Sequence, residues 1–145
     1  LYPVMFLICC PALLFAQSLK DGWKQFYNNE WKKARETFKS ASSGAGNHEA
    51  YLGLSFLDYY EDKGDDAFKN FVKYYEAASS PEKYHYLLSL AYTGILPFTG
   101  GKLNEDEKKF IQNLDKDAQL PGTIRAMVNQ AFAKDLNASG DYKKD

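Results

Sequence analysis

The residues that could do chemistry are few and poorly spaced for it. His48 and His85 are the two histidines of the chain. A helical metal pair needs a second ligand one turn away, and neither histidine has another four places off; both read as surface or packing residues. "DYYED" (58–62) and "NEDE" (104–107) gather carboxylates that general acid–base catalysis could use. Their positions at helix ends read better as caps and solvated termini. "TGG" (99–101) lacks the Lys-Ser/Thr that a phosphate loop requires, and no serine sits in a nucleophile-elbow pattern. Cys9 and Cys10 are adjacent, so they do not easily bridge each other, and a metal site needs more ligands. The sequence therefore predicts no catalytic residue, no metal and no cofactor.

Charge and composition narrow the classes further. Eighteen basic residues against 19 acidic ones give a net charge of -1. A nearly neutral chain without a Lys/Arg-rich run lacks the electrostatic footprint of a nucleic-acid binder. The 145 residues suit one domain with a real core, and the aromatic share of 16% is high. The first residues stand apart. "LYPVMFLICCPALLFAQS" carries no charge, and Val4 to Ala16 is apolar apart from Pro11. That run is too short to span a bilayer and has the size of the apolar region of a secretory signal peptide. Ala16 before Gln17 offers a small residue at a cleavage point. We expect residues 1–16 to be an incomplete signal peptide and residues 17–145 a mature, exported domain without cysteine and without a stable membrane span. Pro3 and Pro11 weigh against a buried N-terminal helix. Ile8 before Cys9 weighs against lipidation, which needs a small residue there.

These elements would be positioned by helices alone. Leu19, Trp23, Phe26 and Tyr27 share one helical face, with Ser18 as a cap and Asn28-Asn29 as the break. Trp31, Ala34, Phe38 and Ala41 mark a second helix, followed by the loop "SSGAGN" (42–47). A third, from Asn47, is apolar on most sides and so packed between neighbours; Gly64 is read as its stop. Asp65 or Asp66 would cap a fourth carrying Ala67, Phe68, Phe71, Val72 and Tyr75. Ser79 with Glu82 predicts a capping box for a fifth, which Gly94 ends. "GILPFTGG" (94–101) is the longest irregular stretch. Asn104 with Glu107 predicts another cap, and Ile124, Met127, Val128, Ala131, Phe132 and Leu136 a final stripe. No segment alternates with period two, so no sheet is expected.

The helices pair, and the pairs share a pattern. Gly22 is followed seven residues on by Asn29, then by Trp31, Ala34, Phe38 and Ala41. Ala133 is followed seven residues on by Gly140, then by Tyr142. A small residue, a tight turn, an aromatic, then alanine and an aromatic resembles the tetratricopeptide repeat. Small-residue spacings of 31 (22 to 53), 36 (53 to 89) and 44 (89 to 133) compare with a period of about 34. The resemblance implies an all-α solenoid of antiparallel helix pairs, about three plus a truncated fourth. "SGDYKKD" (139–145) reads as a helix stop and a new start, so the chain is expected to be a fragment of a longer exported protein.

The same resemblance implies a concave face, lined by the first helix of each pair, that holds a peptide or a partner's tail. Trp23, Phe26, Asn47, Leu57, Asp58, Lys83 and Tyr86 are the candidates to line it. Asn47, Asp58 and Lys83 are favoured for contacts, because burial would otherwise disfavour them. The expected function is non-catalytic protein–protein or peptide binding in the bacterial cell envelope. Two alternatives stand beside it. "YNNEWKKARETF", "AYLGLSFL", "DDAFKNF" and "GDYKK" look like the opening of exported bacterial proteins with a downstream transglutaminase-like domain, for which this segment would be a positioning arm. Glycan capture is the other, since some exported glycan-binding proteins are built on such repeats.

Overall fold

Apolar spacing near 3.6 residues becomes helix throughout the computed structural model, which describes residues 11–44, 47–93, 95–98 and 103–138. Its helices are α1 (Pro11–Tyr27), α2 (Trp31–Ser42), α3 (His48–Tyr60), α4 (Gly64–Ala77), α5 (Ser80–Thr93), α6 (Glu105–Lys116) and α7 (Gly122–Ala138). No strand occurs among the described residues. Nor, among them, is any helix long and apolar enough to cross a membrane. The molecule is an all-α stack of antiparallel helix pairs. Residues 1–10 with both cysteines, Gly94, "TGG" (99–101) and "SGDYKKD" (139–145) lie outside the described residues.

Several helix ends differ from the sequence expectation, each for a local reason. Ser18 does not cap α1, because the helix already runs from Pro11. Proline's fixed φ suits a first helical turn and its missing N–H loses no bond there. Asn29, at φ 60°, turns the chain out of α1 as expected. Asp62, at φ 61°, does the same after α3. Asn and Asp tolerate the left-handed region through short polar side chains, so no glycine is needed. Gly64 therefore is not the stop of α3 but the first residue of α4. Asp65 and Asp66 sit in the first turn of α4 instead of capping it, where their charges complement the helix dipole.

Ser79 precedes α5, but its hydroxyl lies 3.5 Å from the Glu82 carboxylate instead of making a reciprocal cap. The reciprocal box forms at α6. Asn104 Oδ1 accepts from the Glu107 backbone N–H at 2.8 Å, and Glu107 Oε2 accepts from the Asn104 N–H at 3.2 Å. Glu107 is fully buried, and its Oε1 accepts from the Phe98 N–H at 3.1 Å. One carboxylate thus caps a helix and secures the preceding segment, whose Ile95, Leu96 and Phe98 are buried. Asn104→Ala is expected to cost about 1 kcal/mol of stability, read as a lower denaturation midpoint; an unchanged midpoint would contradict the cap's role.

Pairing follows the small residues. α1 lies against α2 and α3 against α4, and α3 also lies on both helices of the first pair. Phe38 of α2 is fully buried where these helices meet. A Cβ added at Gly22 of α1 would stand 2.6 Å from Phe38 Cε1, and one at Gly53 of α3 would stand 2.5 Å from Phe38 Cζ. Glycine is needed at both places because the ring occupies the volume of a side chain. After α4 the pattern loosens: α5 lies against α7, and α6 meets α7 more lightly. Phe110 of α6 instead reaches back to α4, with ring centroids 5.6 Å from Phe68 and 5.2 Å from Tyr75. The core around Phe38 and the larger one running from Leu52 to Phe132 join through Trp23 and Tyr51, which pack against both.

Candidate functional site

The first helices of the pairs, α1, α3 and α5, share a face rich in aromatic rings. Trp23 of α1 anchors it. Its ring stands edge-on to Phe38 at 5.1 Å, to Phe26 at 5.8 Å and to Phe56 of α3 at 6.0 Å. The band continues from Phe26 to Tyr60 at 5.9 Å, and Tyr60 stacks on Trp31 at 5.9 Å. Two rings in this band are left to solvent: Tyr27 is 75% exposed and Tyr60 52%. Edge-to-face geometry holds each ring in a fixed orientation, so the exposed faces are presented by a rigid cluster.

Carboxylates sit at its far side. Trp23 Nε1 donates to Glu49 Oε1 of α3 at 2.7 Å. Across the step to α5, His48 Nε2 lies 3.1 Å from both Glu82 oxygens, and the His48 ring rests 5.8 Å from Tyr74. Tyr86 of α5 meets Tyr74 edge-on at 5.4 Å. Burial first, then the charges of Glu49 and Glu82 and the neighbouring Tyr27, raise the Tyr86 hydroxyl above its ordinary pKa. These groups from three helices therefore share one electrostatic environment, and Tyr86 stays a neutral donor. Such an arrangement can stack on planar or apolar groups and attract a cation through ring faces and carboxylates together.

The structure brings Trp23, Phe26 and Tyr86 of the sequence candidates to this face and half-buries all three. It places the other four elsewhere. Leu57 is fully buried in the core of the first pairs. Asn47 is buried, its Nδ2 donating to the Ala41 carbonyl at 2.8 Å and so tying α3 to the end of α2. Lys83 turns away, its ammonium 4.7 Å from the Tyr75 ring centroid and 5.6 Å from that of Tyr84. Asp58 is 3% exposed and points to the second helices, between α2 and α4.

Asp58 there is fully engaged. Arg35 Nη1 donates to its Oδ1 at 2.7 Å and Asn70 Nδ2 to its Oδ2 at 2.8 Å. Arg35 Nη2 lies 3.0 Å from Glu61, which also pairs with Lys63 at 2.6 Å. The Lys63 hydrogen bond, opposed by partial burial and reinforced by Arg35, holds the Glu61 carboxyl below its ordinary value. Two of the three carboxylates of "DYYED", Asp58 and Glu61, are thus tied into ion pairs. The argument that polar residues avoid burial missed this, because each partner lies far off in sequence. It also missed Tyr27, Glu49, Phe56 and Tyr60. Tyr27 and Tyr60 carry a one-turn signal, four places after Trp23 and Phe56, but nothing local marks Glu49 as the partner of Trp23.

Comparison with known proteins finds no matching family model, curated protein or solved structure. Among the described residues, no group of three or more His, Cys, Asp or Glu is placed to hold a metal ion.

Proposed function

We propose that this chain is a non-catalytic, tetratricopeptide-like module that binds an extended peptide segment of a partner protein along the face of α1, α3 and α5. One observation carries the reading: helices that bury most of their large side chains leave Tyr27 and Tyr60 in water, at 75% and 52% exposure, on a braced aromatic cluster. Exposed aromatics grouped in this way mark binding surfaces, because each ring offers much contact area at little entropic cost. Glu49 and Glu82 favour a segment that carries basic as well as apolar side chains. The apolar run Val4 to Ala16 and the Ala16–Gln17 junction support export, and with it a partner in the cell envelope.

A peptide array followed by titration of the best sequence tests this. Tyr27→Ala and Tyr60→Ala are each expected to weaken binding about tenfold, as hot-spot aromatics do, with no loss of thermal stability. Binding of neutral oligosaccharides that depends on Tyr60, with no peptide bound, would replace this reading with glycan capture.

A further inference from the structure

The opposite side of the stack carries a second, differently charged feature. Between α2 and α4 runs a groove of about 600 Å³ floored by Tyr51 and Leu54 of α3. Both α2 and α4 run antiparallel to α3, so they run parallel to each other. Each presents two cations one turn apart to this groove: Arg35 and Lys39 from α2, Lys69 and Lys73 from α4. Like charges four places apart disfavour a helix, and here two such pairs converge in a chain whose net charge is -1.

Arg35 is committed to Asp58 and Glu61, but the groove's carboxylates leave the three lysines largely unneutralised. Asp58 is taken up by Arg35 and Asn70. Asp66 reaches only Lys69, at 4.0 Å and largely in solvent. Among the described residues no carboxylate lies within ion-pair distance of Lys39 or Lys73. Lys73 is instead held 5.2 Å from the Tyr51 ring centroid, above the floor.

We propose that this groove is a second binding site, for an extended acidic peptide segment with carboxylates at alternate positions. The spacing argues for it. Residues one turn apart on a helix rise about 6 Å, and alternate residues of an extended chain advance about 6.6 Å on one side. Carboxylates two apart therefore meet Lys69 and Lys73 in succession along the α4 wall, while Lys39 lines the same groove from α2. A compact anion would engage one level of the groove and leave the other unmatched. The site is independent of the aromatic face.

The full chain is titrated at low ionic strength with a fluorescein-labelled peptide of alternating Glu and Ser, read by anisotropy. The comparators are a peptide of equal composition with its glutamates in one block, and dextran sulfate. The alternating peptide is expected to bind tightest and to weaken as salt screens the charges. Lys39→Glu with Lys73→Glu is expected to raise its Kd by about tenfold or more, as two reversed charges do. Both side chains are exposed and outside the core, so folding is spared. Lys20→Glu with Lys24→Glu, an exposed pair on α1 that does not line the groove, is expected to leave the Kd unchanged. Absence of binding, equal binding of the block peptide or of dextran sulfate, or an equal loss in the Lys20/Lys24 variant would each overturn the site.

Discussion

Phe38→Ala is expected to lower the free energy of unfolding by about 3–5 kcal/mol, the range for removing a fully buried aromatic ring. The ring is enclosed by Gly22, Gly53 and the Trp23 edge, so truncation opens a void bounded by three helices that pack on one another. The glycines make the claim specific. Gly53→Ala would ordinarily favour a helix by about 1 kcal/mol. Here its Cβ meets the ring at 2.5 Å, inside contact distance, and overpacking of this kind costs about 1–3 kcal/mol. In the Phe38→Ala background the obstruction is gone, and Gly53→Ala is expected to become neutral or stabilising. Denaturant unfolding of the four chains measures the coupling. If Gly53→Ala costs the same in both backgrounds, the ring is not what the glycine accommodates.

Asp58→Ala is expected to cost about 3–5 kcal/mol, as breaking a buried ion pair does. The Asp58 side chain is 5% exposed and that of Arg35 20%, so solvent screens the pair little. Removing the carboxylate strands the Arg35 guanidinium between α2 and α3 and leaves Asn70 without its acceptor. Glu61 offers partial compensation at 3.0 Å. Replacing both partners with apolar residues of similar size, Arg35→Met with Asp58→Leu, is expected to cost less than Asp58→Ala alone, because no buried charge remains. A double variant less stable than the single one would show that the pair itself, and not its desolvated remnant, sets the energy.

What could be read from sequence followed the range of the interaction. The helices, the Ala34–Phe38–Ala41 stripe and the Asn104–Glu107 cap are defined by neighbours within a few residues, and each appears as read. The significance of Gly22 and Gly53 was legible as spacing, while the ring they both accommodate was not. Local punctuation misled where two residues could serve: Asp62 took the left-handed turn that Gly64 also could have taken. The site was the least legible part. Trp23 meets Glu49 across 26 residues and Arg35 meets Asp58 across 23. A polar side chain reads as exposed until its partner is known, so Asp58 looked like a contact residue when it is a buried brace. Lys83 was drawn off the face by Tyr75, a preference visible only once α4 and α5 are placed.

The Phe38 wedge also constrains how such a chain can change over generations. Positions 22, 38 and 53 do not drift independently, since an enlarged glycine is tolerated best when the residue opposite it is smaller. Whichever position changes first, the lineage bears an instability until the second change relieves it. Reserves elsewhere, such as the α6 cap, then decide which routes stay open.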